Sequence, residues 1–297
     1  MTALAPLLCL LAAQEGALDV LDGETLYEDG WLFTAGAGID LKNHLQKGSR
    51  RVSDPLDQRQ IDQTADLSAH YGLRYDLQLS VILPYVRRTL ELDDPSGPNR
   101  YQAEGLGDLT LAAKWRVHRM SGEGWSTNVS VLGGVDAPTG SDDERDHGVL
   151  LPADLQPGVG GWAPFLGGGV THEPERWRFN AFVLYKYNSE GGHDIKRGDQ
   201  AFLELAAGNR FWLEPYPGPF MRADLLLRFR HEAPDHRSGS PVPDTGESRL
   251  TLGLAWAFRP RPTLDLQVSV EVPLWQDLRG TQLADDLSVF IAFGYRI

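Results

Sequence analysis

The chain has 297 residues, a net charge of -13 and 41% hydrophobic residues, with 32 glycines and 8 tryptophans. Its mean hydropathy of -0.31, with no apolar run near the roughly 18 residues of a spanning helix, excludes an ordinary helical membrane protein. An acidic chain without a Lys/Arg cluster also argues against nucleic acid as a partner, while the glycines and tryptophans fit a β-rich chain with many turns.

The first residues, "MTALAPLLCLLAAQEG", have a short apolar core from Leu4 to Leu11, then Ala12 and Ala13, then the first charge at Glu15. That layout predicts a secretory signal over residues 1–13, although its n-region has no Lys or Arg. An N-terminal extension over 14–30 follows. The only cysteine, Cys9, lies inside the signal, so the mature chain forms no disulfide.

From Trp31 onward, apolar residues alternate with polar ones at a period of two, the signature of a strand with one buried face. The first run is Trp31, Phe33, Ala35, Ala37, Ile39 and Leu41. It is followed by Leu67 to Leu73, Leu77 to Tyr85, Leu109 to Val117, Trp125 to Val135 and a weaker, Gly-rich run over Val159 to Val170. Strong runs resume at Trp177 to Tyr187, Ala201 to Ala207, Met221 to Phe229, Leu250 to Phe258, Leu264 to Leu274 and the last stretch, "LSVFIAFGYRI". The pattern predicts about 12 strands.

The connectors choose between a soluble and a membrane barrel. They alternate long and short: "DDPSGPNRYQAEG" is long and "RMSGEG" short, "PTGSDDERDHGVLLPADLQPG" long and "HEPER" short. All long connectors then fall on one side of an up-and-down meander, the asymmetry of outer-membrane barrels with external loops and short periplasmic turns. Trp31, Tyr71, Trp115, Trp125, Trp177, Phe220, Trp256 and Tyr295 lie near the short-turn ends, as an interfacial girdle would. The expected fold is all-β: a closed antiparallel up-and-down transmembrane β-barrel over 31–297. Closure leaves no unpaired backbone group in hydrocarbon.

With the apolar faces toward lipid, the lumen receives Lys114, Arg116, Arg178, Lys186, Glu204, Arg222, Asp224, Arg228, Arg230, Arg249, Asp265, Glu271 and Arg296. These side chains either line a solute pathway or brace the wall through ion pairs. The connectors around Asp93 to Glu104, Asp136 to Gly158 and His231 to Glu247 are long enough to cover or plug the mouth. "SDDERD" (Ser141 to Asp146) lacks calcium-loop spacing and reads as a solvated loop. No G-x-S-x-G elbow or H-E-x-x-H helix occurs. A Ser/His pair on the wall, Ser68 with His70, is the only catalytic candidate, so no catalytic residue, cofactor or metal is expected.

Several stretches carry a resemblance: "YGLRYDLQLSVILPYVRR", "GLGDLTLAAKWRV", "LQPGVGGWAPFLGGGVTHEPERWRFNAFVLYKYNSEG", "RGDQAFLELAAGNRFW" and "VEVPLWQDLRGTQLADDLSVFIAFGYRI". Together, from about Asp66 onward, the chain resembles the outer-membrane transporter family named for the meta-pathway of phenol degradation. The resemblance implies an outer-membrane barrel passing small, often apolar or aromatic compounds, and supplies no catalytic or binding residues. Gly107, Asp108, Pro273, Gly280 and Gln282 match motif positions, with structural roles implied. The chain ends in Ile297, where such barrels commonly place an aromatic residue for the assembly machinery.

The sequence thus predicts a channel or transporter in a Gram-negative outer membrane, with outer-membrane lipid, a small-molecule solute and the assembly machinery as partners and no nucleic acid. The alternatives are a non-transporting structural or adhesive barrel with a plugged lumen and, behind that, an outer-membrane esterase or lipase.

Overall fold

The computed structural model describes residues 22–94 and 97–297; the expected signal, and the extension up to residue 21, lie outside the described residues. Twelve long strands form the wall: β1 (Trp31–Lys42), β2 (Arg59–Arg74), β3 (Leu77–Asp94), β4 (Leu109–Gly122), β5 (Trp125–Ala137), β6 (Ala163–Pro174), β7 (Trp177–Lys186), β8 (Gln200–Leu213), β9 (Phe220–Glu232), β10 (Glu247–Arg261), β11 (Leu264–Ala284) and β12 (Leu287–Arg296). Each pairs antiparallel with the next, and β12 pairs with β1. Phe33 lies opposite Tyr295 and Ala37 opposite Ile291. Trp31 and Ile297 exchange backbone bonds of 3.0 and 2.9 Å. The barrel is closed, so its wall has no free edge.

Burial follows the two-residue period: Leu254 is 65% exposed and Ala255 beside it 5%. The apolar face is outside, and the exposed Trp31, Trp115, Trp125, Trp177, Trp256 and Tyr295 ring the short-turn end. Phe220 does not join that girdle. It stands on the inward side of β9, between the guanidinium groups of Arg210 and Arg259, whose carbons lie 5.7 and 4.8 Å from its ring centre. Position near a strand end identified it as interfacial; its even number, shared with inward-facing Arg222 and Asp224, is the better guide.

The external end is more folded than a set of loose loops. The stretch Gly97–Leu106 is a strand continuing β3 into a hairpin, from Tyr85 opposite Leu106 to Asp94 opposite Gly97. Leu90 and Ala103 of this hairpin pack with Leu45, Leu151, Leu155 and Leu283 from three other connectors. Four separate excursions therefore share one small apolar core above the wall.

Inside, β3 to β8 contribute a second apolar cluster: Ile82, Ala112, Leu132, Phe165, Phe182, Leu184 and Phe202. Its rings lie flat on glycine. A Cβ on Gly169 would come within 2.4 Å of the Phe182 ring, so the Gly-rich run, which reads weakly as a strand, still forms one over Ala163–Pro174.

Candidate functional site: the barrel lumen

The inward residues form two charged groups, and the apolar cluster lies beside the first: Phe182 is opposite Glu204, and Glu204 opposite Arg228. At mid-barrel, the Arg228 Nε donates to Glu204 Oε2 at 2.8 Å and a second guanidinium nitrogen reaches Glu271. Arg230 pairs with Glu232 at 2.7 Å, and Arg249 with Asp285. Arg228, Arg230, Arg249, Glu271 and Asp285, with Asp40, Thr64, Ser288, Phe202 and Phe290, surround a cavity of about 60 Å³. Lys186 stands apart, 3.0 Å from Asp136, whose other oxygen accepts from Thr110 at 2.6 Å.

The second group rings the short-turn end. Arg116, Arg178, Arg210, Arg222, Arg259 and Arg296 line a cavity of about 270 Å³, with Glu24, Glu173 and Phe220. Arg222 pairs with Asp224 at 2.7 Å, while Asp265 is shared between Arg259 at 2.6 Å and Arg296 at 3.0 Å. Arg116 donates to the Tyr75 carbonyl. The Asp265 pairs brace three neighbouring strands, β10 to β12, and the counter-charges limit the desolvation cost of the buried groups they meet.

The chain preceding β1 enters this end of the lumen, which the strand pattern did not indicate. Asp22, 2% exposed, bridges two wall cations: its Oδ1 lies 2.6 Å from Lys114 Nζ and its Oδ2 2.7 Å from Arg178. Ser130 Oγ donates to the Asp22 carbonyl at 2.6 Å, Gly23 N–H to Thr171 Oγ1 at 2.9 Å and Leu26 N–H to Gln78 Oε1 at 3.0 Å. Glu24 pairs with Arg178 at 2.9 Å. Burial alone would raise the Glu24 carboxyl; the charge and hydrogen bond of Arg178 outweigh it and lower it to about 2. Tyr27 closes the segment, its hydroxyl donating to the Ile297 carbonyl at 2.6 Å.

At the external end, the matched motif residues pin connectors over the lumen. Asp108, 1% exposed, accepts from Gly140 N–H at 2.9 Å and Val159 N–H at 2.8 Å. Burial raises its carboxyl, and these two bonds oppose the rise. Arg88 donates from the wall to the carbonyls of Asp154 and Gln156 at 2.6 and 2.5 Å. Gly280, at φ 82°, turns β11 back on itself, and its missing Cβ leaves room for Asp244. Gln282 ties the turn by donating to the carbonyls of Gly246 and Arg279 at 3.0 and 2.8 Å.

Ser68 and His70 do meet: Ser68 Oγ is 2.8 Å from His70 Nε2. His70 Nδ1, however, is bonded to Ser80 at 2.8 Å rather than to a carboxylate, and the ring is 1% exposed. The arrangement is a buried polar chain without the orienting acid of a triad. Among the described residues, no group of three or more His, Cys, Asp or Glu side chains is placed to hold a metal ion.

Among solved structures, the chain is similar to the COG4313 outer membrane channel from Pseudomonas putida F1, with 15% identity over 93% of this chain and 98% of that one and a TM-score of 0.71. The P. putida toluene transporter TodX, at 10% identity over 91% and 90% of the two chains, gives a TM-score of only 0.42, too low to bear on the fold. No curated protein matches the chain. The sequence model described as "Putative MetA-pathway of phenol degradation" matches residues 63–279, from the middle of β2 to the β11 turn, and the chain belongs to that family.

Proposed function

We propose that this protein is an outer-membrane channel for small molecules, including apolar or aromatic compounds, with Lys114, Arg116, Arg178, Lys186, Glu204, Arg222, Asp224, Arg228, Arg230, Asp265, Glu271 and Arg296 lining the pathway. The observation that carries the reading is the interior. A wall with charged groups at two levels and an apolar patch of Ile82, Leu132, Phe165 and Phe182 beside the upper one offers a solute both a polar and an apolar surface. Cavities of about 60 and 270 Å³ with charged linings leave part of the interior unfilled, which a barrel packed solid with side chains would not. The short-turn end is occupied by a chain segment held through hydrogen bonds and ion pairs, contacts that water or a solute can replace.

The leader, the outer-membrane destination and insertion by the assembly machinery belong to the same reading. No catalytic role is proposed, because the Ser68–His70 chain lacks its acid. The rival, a plugged structural or adhesive barrel, draws on the apolar external core and the tie from Arg88 to the connector above it. Single-channel recording from the refolded chain in planar bilayers separates the two: current steps that added aromatic acids or phenols block support the channel, and a silent, correctly folded barrel supports the rival.

A further inference from the structure

Lys186, Arg222 and Arg228 pair with carboxylates of the wall itself, at Asp136, Asp224 and Glu204. Lys114 and Arg178 are bridged by a carboxylate that enters from outside the wall; Arg178 in addition pairs through its other nitrogen with Glu173 of β6 at 3.0 Å and with Glu24 at 2.9 Å. Both cations are buried, 2% and 7% exposed, and they meet the two oxygens of Asp22 at 2.6 and 2.7 Å, the spacing of charge-assisted hydrogen bonds. The surroundings extend the pattern toward an apolar body. Leu132 lies directly opposite Lys114 in the ladder, Ala112 precedes Lys114 on the same face, and on the inward face of β7 Phe182 stands beyond Asn180, which follows Arg178. A carboxylate on the two cations therefore has Leu132 and Ala112 beside it on the Lys114 side and, past Asn180, Phe182 deeper in the lumen.

We propose that Lys114 and Arg178 form a carboxylate-binding cradle with Asp22 as its resident occupant, and that small organic acids, a carboxylate on an apolar or aromatic body, take the place of Asp22 as they pass. The proposal rests on the channel reading and names the solute class for it. Asp22 supplies the same functional group as the solute, so the segment is a tethered competitor. Its Ser130 and Thr171 bonds use backbone atoms that a free acid lacks, and they hold the segment without belonging to the cradle.

The test is calorimetric titration of the folded, detergent-solubilised full chain with sodium benzoate and, separately, with neutral benzamide. Benzoate is expected to bind the Asp22→Asn variant about tenfold more tightly than the unaltered chain, the gain when a competitor that fills nine sites in ten is removed. Benzamide shows no such gain. In the Asp22→Asn background, Lys114→Met abolishes benzoate binding and Lys114→Arg retains it, with heat-modifiable gel mobility confirming that each barrel is folded. Benzoate binding that ignores Asp22→Asn or survives Lys114→Met, or benzamide binding equal to that of benzoate, overturns the cradle. Binding that follows the expected pattern in a barrel that carries no benzoate current across a bilayer upholds the cradle and overturns the channel reading.

Discussion

The two ends of the barrel are closed by different physics. Above the wall, Leu45, Leu90, Ala103, Leu151, Leu155 and Leu283 come from four excursions and are all less than a tenth exposed. They are joined by the bonds of Asp108 and Arg88 to the connector that crosses the mouth. Opening that end means exposing apolar surface, which costs roughly 25 cal/mol per Å². At the short-turn end, closure rests on residues 22–27, which bury one large apolar side chain, Leu26, and otherwise make polar contacts. Those contacts exchange for water at a net of about 1 kcal/mol each, and for more where a charge takes part. The external closure is thus part of the fold, while the short-turn closure is a ligand that the chain supplies to itself.

Substitutions can break this contrast at several levels. The largest effect is expected from Leu227→Arg on the lipid face of β9, where a charge near the bilayer midplane costs about 2 to 4 kcal/mol: assembly fails, and heat-modifiable mobility is lost. Arg228→Leu, one residue along and inside, leaves assembly intact and changes conductance. If the two behaved alike, the assignment of inside and outside, on which both ends depend, would be wrong. Leu155→Ala removes a side chain 1% exposed from the external core and should cost about 2 to 5 kcal/mol, read as earlier proteolysis of the connector between β5 and β6. Unchanged protection there would show that the apolar core does not hold the mouth. Asp108→Ala loses two charge-assisted bonds of roughly 1.5 to 3 kcal/mol each before relaxation. It should loosen the same connector, and cleavage confined to other loops would count against the pinning role.

Much of the wall was legible from the period of two, because lipid on one side and polar atoms on the other impose an alternation that sequence displays directly. Twelve strands, closure and the side of the long connectors all followed from it. The same rule applied to even positions before β3 would have added Asp40, Lys42, Asp62 and Asp66, which are buried inside. Two features escaped for physical reasons. Phe220 resembles an interfacial aromatic until its arginine neighbours on other strands are known. Asp22 and Glu24 belong to a short segment with no period, and their partners Lys114 and Arg178 lie 92 and more residues away. The motif residues were recognisable as structural, yet only the fold shows that Asp108 and Gln282 hold connectors through backbone groups far along the chain.

The most direct test of the exchangeable short-turn closure is single-channel current from the full chain and from Asp22→Asn in the same planar bilayers. The amide keeps the shape of the side chain and loses both of its ion pairs, so the occupied state should weaken by at least about 1.5 kcal/mol, a tenfold or larger rise in the ratio of open to closed time. Brief openings in the unaltered chain that become long-lived in the variant are the predicted result. Identical records from the two proteins, conducting or silent, would contradict the account, because they would mean that the segment held by Lys114 and Arg178 does not control passage through the lumen.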